Sequence, residues 1–137
     1  MTELDDHEDN PGPEGQLTLK LVATPKDTNM HGDISAAWVV AQMEQAAELA
    51  AARLAKGRTA TVALASMDFL CPVRLGSMVQ VHSQLVETGT SSMKISVEVW
   101  ILPPNEKDPN SLYKVTEATF VMVALDDKGR IRTLPGS

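Results

Sequence analysis

Near the start of the chain Leu17, Leu19 and Leu21 alternate with Thr18 and Lys20. Successive side chains of an extended segment point to opposite faces, so this period of two predicts a half-buried strand ending at Thr24-Pro25. A polar, turn-forming stretch, Lys26 to Gly32, leads into a run from about Ser35 to Ala55 that contains no Gly or Pro. That run is mostly Ala, Met, Gln, Glu, Leu and Arg, all good helix formers, and Lys56-Gly57 supplies a cation and a stop, so it is predicted helical. Only Gln42, Glu44, Gln45, Glu48 and Arg53 break its apolar surface, which predicts a helix buried on most sides.

From Thr59 the period returns to two. Thr59–Leu70, Met78–Glu87, Ser92–Leu102 and Tyr113–Leu125 alternate or run apolar and are rich in Val, Ile and Thr, which predicts four more strands. In the third of them Met93, Ile95, Val97, Val99 and Ile101 share one face, and Lys94, Ser96, Glu98 and Trp100 the other. The connections at Cys71–Gly76, Thr88–Thr90 and Pro103–Ser111 are short enough for antiparallel neighbours. Strand, long helix and four strands predict an α+β fold, with the helix on one face of a curled five-stranded antiparallel sheet. The edges of such a sheet are unpaired, and self-association is the expected remedy.

A chain of 137 residues fits one domain. Aromatic residues make up 4% of it against 43% apolar overall, so the core must be aliphatic, with seven Met contributing. The net charge of −6 resides in Glu3, Asp5, Asp6, Glu8, Asp9 and Glu14, since twelve acids and twelve bases remain elsewhere. Residues 1–15 read as a flexible acidic tail and 16–137 as the folded domain. An acidic chain without a basic stripe gives no reason to expect nucleic acid or an anionic membrane as partner. A single cysteine, no apolar run long enough to span a bilayer and no signal-peptide pattern point to the cytoplasm.

Candidate chemistry gathers in Asp27-Thr28-Asn29-Met30-His31-Gly32-Asp33-Ile34-Ser35, just before the helix. Asp33 or Ser35 can cap the free N–H groups there, and Gly32 can take a turn conformation. The same placement lets helix-start N–H groups polarise a carbonyl oxygen while a carboxylate directs water at its carbon. The two readings are compatible. Zinc-ligand spacing, a serine nucleophile elbow, a glycine-rich phosphate loop and a catalytic cysteine signature are all missing from the sequence.

The pattern Asp27-Thr28-Asn29-x-x-Gly32-Asp33-Ile34, then Trp38, Gln42-Met43 and Glu44, resembles the YciA-type acyl-CoA thioesterases of the hotdog superfamily. The likeness runs on through Gly57-Arg58, Met67-x-Phe69-Leu70-x-Pro72-Val73, Gly76, Gly89-Thr90-x-Ser92, Glu98-Val99-Trp100, the Lys114–Phe120 strand and Arg132-x-Leu134-Pro135. The resemblance implies a hotdog fold, a long central helix wrapped by the five-stranded antiparallel sheet, which dimerises through continuous sheets with active sites at the dimer interface and commonly assembles into a hexamer, a trimer of dimers. It implies that Asp33 is the catalytic carboxylate, as general base on water or as nucleophile, with the N–H groups of Ala36 and Ala37 holding the thioester oxygen. Asn29 would position water or support the site, or serve simply as a turn residue, and Glu44 would line the site from the facing subunit or be a solvated or paired carboxylate. Arg58, Gly89, Thr90, Ser91 and Ser92 would lie near the coenzyme A portion of the substrate. Neither metal nor separate cofactor is required, because a thiolate leaves readily.

Three departures stand out. Ala36-Ala37 replace the family's usual glycine pair, Cys71 stands where a basic or polar residue is common, and Ser77 replaces the usual Asp after Gly76. Two other functions suit the same fold: a non-catalytic acyl-CoA-binding protein, and a hydroxyacyl-thioester dehydratase, for which His31 is the one histidine near the motif.

Overall fold

A computed structural model describes residues 12–136. Most of the expected acidic tail therefore lies outside the described residues. Its last two residues lie against the sheet: the Glu14 N–H donates to Glu98 Oε1 at 3.2 Å, and a Cβ at Gly15 would sit 2.5 Å from the Ser83 carbonyl oxygen.

The elements are β1 (Gln16–Val22), a 3-10 turn (Pro25–Asp27), α1 (Ala36–Ala55), β2 (Thr59–Phe69), β3 (Met78–Thr88), β4 (Ser92–Leu102) and β5 (Tyr113–Ala124). All strand pairs are antiparallel, in the order β1-β3-β4-β5-β2. The helix predicted by the Ser35–Ala55 run and the four strands after it thus form within a residue or two of their expected limits. Met93, Ile95, Val97, Val99 and Ile101 of β4 are buried, facing the helix side with Phe120 and Met122 of β5. The opposite face of β4 is less open than its polar residues suggested. Glu98 and Trp100 are buried there too, the indole Nε1 donating to Glu98 Oε1 at 2.8 Å with the Lys114 ammonium 5.9 Å from the ring centre.

Three expectations need correction. β2 and β3 are not neighbours, since β4 and β5 lie between them. At ~4.8 Å per strand the gap is about 14 Å, well within the reach of residues 70–77 at ~3.3 Å each. This crossover walls the start of the helix, with the Leu70 N–H donating to Val115 O at 2.7 Å and the Ile34 N–H to Val73 O at 3.0 Å.

The helix is also not buried on most sides of the single chain. Val39, Met43, Ala46, Ala47, Ala51 and Ala55 form the buried stripe, and their small side chains let the sheet come close. Ala36, Ala37, Ala41, Leu49 and Leu54 remain exposed, because five strands cover only one side. Finally, the residue that ends the helix in the left-handed conformation is Lys56 (φ 53°), one position before the expected glycine. Gly57 instead makes room for a side chain. A Cβ there would sit 3.0 Å from Arg132 Nη2, which donates to the Ala55 carbonyl at 2.7 Å.

Among the described residues the outer strand β2 pairs with β5 alone, and Val62, Leu64 and Phe69 along it are exposed. A long apolar edge of this kind is a template for pairing with another chain.

Candidate active site

The loop before α1 is built from its own polar side chains. Thr24 N–H and Oγ1 both donate to Asp27 Oδ2, at 3.0 and 2.8 Å, which closes the 3-10 turn and lowers the Asp27 pKa. The Ser35 N–H then donates to Asp27 O at 3.0 Å, and Thr28 and Ile34 form an antiparallel bridge. Inside that bridge the Asn29 N–H donates to Asp33 O at 2.6 Å and the Gly32 N–H to Asn29 O at 3.1 Å, a turn for which Gly32 takes φ +82°. Asn29 Oδ1 accepts from the N–H groups of His31 (2.8 Å) and Asp33 (3.2 Å). The side chain of Asn29 is thus the internal brace that fixes where Asp33 leaves the backbone.

Asp33 is half-buried at the edge of an open groove shared with Gly32, Arg74, Leu75, Pro103, Pro104 and Asn105. Its carboxylate has no hydrogen-bond or ion-pair partner among the described residues. The capping role falls to Ser35 instead, whose Oγ accepts from the Trp38 N–H at 3.0 Å while its carbonyl accepts from the Val39 N–H. The remaining two N–H groups of the first turn, those of Ala36 and Ala37, have no acceptor among the described residues, and both residues are exposed. An unengaged carboxylate therefore sits next to two unengaged N–H groups at the positive end of the helix dipole. Such an arrangement can bind a carbonyl oxygen on the amides and present a base or nucleophile to its carbon.

The other predicted residues separate into two places. Glu44 is exposed, about 12 Å further along the helix from Ala36 at 1.5 Å per residue. Arg58 and the Gly89–Ser92 hairpin meet at the far end of the molecule: Ser91 O and Arg58 O accept from the successive N–H groups of Ala124 and Leu125. Thr90 O accepts from the Leu134 N–H, tying in the closing segment. The 20-residue helix separates this cluster from Asp33 by about 30 Å. One chain does not bring the two sets together. His31 is exposed and engages the loop through its backbone. Sequence reasoning passed over Arg74, which shares the groove with Asp33 and whose only signal was its place in the short crossover. It also passed over Arg132 as the cap of the helix end. No group of three or more His, Cys, Asp or Glu among the described residues is arranged to hold a metal.

Residues 31–107 match the model of the Thioesterase superfamily, which puts the wrapped helix and its leading loop in the hotdog thioesterase class. Over 123 residues the chain is 40% identical to the acyl-CoA thioester hydrolase YciA of Salmonella typhimurium, covering 90% of this chain and 92% of that protein. It also superimposes on the hexameric thioesterase of Yersinia pestis with a TM-score of 0.83 at 40% identity, covering 91% and 99% of the two chains. A hexameric broad-specificity acyl-coenzyme A thioesterase, whose structure is also known as an aspartate-to-alanine mutant, gives a TM-score of 0.87 at 39% identity, covering 93% and 86%. The chain belongs to the YciA-type acyl-CoA thioester hydrolases.

Proposed function

We propose that this protein hydrolyses the thioester of acyl-CoA to free acid and CoA, with Asp33 as the catalytic carboxylate. The observation that carries the assignment of the residue is the unpartnered Asp33 side chain beside the free N–H groups of Ala36 and Ala37. Acting as base, Asp33 takes a proton from water as the water oxygen attacks the carbonyl carbon. The negative charge that develops on the carbonyl oxygen is met by the two amides. The C–S bond then breaks and CoA departs as thiolate, which needs little protonation. Acting as nucleophile, the carboxylate would form a mixed anhydride that water cleaves in a second step. The departure at Ala36-Ala37 leaves both donors in place and adds two methyl groups beside the thioester.

Arg58, Gly89, Thr90, Ser91 and Ser92 are assigned to the CoA portion, and Glu44 to the wall of the site. The pantetheine arm is about four residue-lengths long, some ~14 Å when extended, whereas the catalytic and CoA sets lie about 30 Å apart along the helix. A second copy is assigned one of the two sets, and the exposed β2 edge and outer helix face are surfaces on which copies can meet. By analogy with its hexameric relatives the protein is assigned a hexamer, and the expected arrangement is a trimer of dimers. A cytoplasmic location accords with its single free thiol, and no helix is long and apolar enough to cross a membrane. The test is thiol release from a panel of acyl-CoAs by wild type and Asp33→Asn. Loss confined to the variant supports hydrolysis by Asp33, and equal, slow release by both supports a binding protein instead.

A further inference from the structure

The groove at Asp33 does not end there. Arg74, Pro103 and Asn105 also line an adjoining pocket of about 490 Å³, whose other walls are Cys71, Pro72, Ser77, Ile101, Glu106 and Tyr113. We propose that this pocket receives the far end of the acyl group and selects acyl-CoAs whose chain ends in a carboxylate, with Arg74 as the specificity residue. The inference rests on the assignment of Asp33 to the hydrolysis step.

Four observations support it. Arg74 stands at the junction of the two grooves and forms no ion pair among the described residues, so its guanidinium is available to a ligand. The one acid in the pocket, Glu106, is already engaged, accepting from Tyr113 Oη at 3.2 Å and from the Asp108 N–H at 3.1 Å. Ser77 is fully buried, and its hydroxyl has no hydrogen-bond partner among the described residues. Buried hydroxyls are nearly always paired, and a ligand oxygen in the pocket would give this one its partner. A guanidinium binds a carboxylate in a paired, planar geometry that no hydroxyl or methyl terminus reproduces. Cys71 and Ser77, two of the three departures from the family pattern, both fall in this wall, so its chemistry is this chain's own.

The test compares acyl-CoAs of equal chain length ending in methyl, hydroxyl or carboxylate. Thiol release is measured with wild type, Arg74→Gln and Ser77→Ala, and binding of the matching non-hydrolysable CoA thioethers is measured by calorimetry. In wild type the carboxylate-ended substrate is expected to have the highest kcat/KM. Arg74→Gln should lower the carboxylate-to-methyl ratio at least about ten-fold, through KM more than kcat, with the same loss in thioether binding. Ser77→Ala should lower that ratio by a few-fold. No preference in wild type, or an equal loss on all three substrates in Arg74→Gln as expected of a contact to the CoA phosphates, would overturn the proposal. If the thioethers show the binding preference while Asp33→Asn still releases thiol like wild type, the pocket stands and the role of Asp33 fails.

Discussion

The two ends of the central helix are finished in opposite ways. At its C-terminal end Lys56 turns the chain in the left-handed conformation and Arg132 Nη2 donates to the last helical carbonyl, Ala55 O, at 2.7 Å, while Nε ties the same side chain to Leu125 O at 2.8 Å. At the N-terminal end Ser35 satisfies two N–H groups and leaves those of Ala36 and Ala37 open beside an unengaged acid. Helix ends that serve only stability are normally capped, because each free group forgoes a hydrogen bond. The contrast accords with the proposed function, in which one end of the helix stabilises the fold while the other receives the substrate. Between the ends lies an exposed apolar flank that includes Leu49 and Leu54.

The sharpest way to break this comparison is to remove a donor at the open end without disturbing the helix. Ala36 occupies the first helical position and Ser35 before it is already extended (φ −69°, ψ 145°), so Ala36→Pro fits the backbone and deletes only the N–H. If that amide holds the oxyanion, kcat should fall about 10²–10³-fold with little change in Tm. A variant of normal activity would remove this donor from the mechanism. At the closed end the opposite pattern is expected. Arg132→Ala should cost about 2 kcal/mol of stability by leaving two carbonyls without their charged donor, read by denaturant unfolding, while the activity of folded enzyme stays near wild type.

Asn29 and Ser35 separate bracing from chemistry at the open end. Asn29→Ala removes the acceptor for two loop N–H groups and should reduce kcat about ten-fold by loosening Asp33, while Asn29→Asp, which keeps the acceptor, should recover most of it. Ser35→Ala should cost about 1 kcal/mol of stability through the lost cap.

The smallest effect lies away from both ends. Burial lowers the pKa of His82 below its usual 6.5, against the opposing pull of the Gly15 carbonyl and Glu98. As pH falls below about 6.5 the unfolded chain takes up this proton before the folded one, so folding stability should decline toward lower pH. His82→Gln should flatten that decline between about pH 7 and 5 in urea titrations.

Much of this was legible in the sequence, because periodicity reports which side of an element meets the core. The alternation of Met93 to Ile101 and the uninterrupted run after Ser35 located helix and strands to within a residue or two. The place of β2 at the sheet edge was not legible, since a short connection specifies reach and not destination. The apolar circumference of the helix was read as burial within the chain, but composition does not distinguish a surface covered by the same chain from one left for another. In the loop, residue types pointed to Asp33 and the helix start, whereas the division of labour did not: Ser35 caps and Asn29 braces, which depends on backbone dihedrals. The roles of Arg74 and Arg132 were not legible because each acts across the fold, and neither had a neighbour in sequence to signal it.

Cleavage of the thioester at the open end of the helix is tested most directly by the crystal structure of the assembled protein with CoA bound. The CoA sulfur is expected against the Asp33 carboxylate and the Ala36 and Ala37 amides of one copy, with the phosphates reaching Arg58 and the Gly89–Ser92 hairpin of another. A sulfur lodged away from Asp33, or all of these contacts supplied by a single chain, would contradict that assignment.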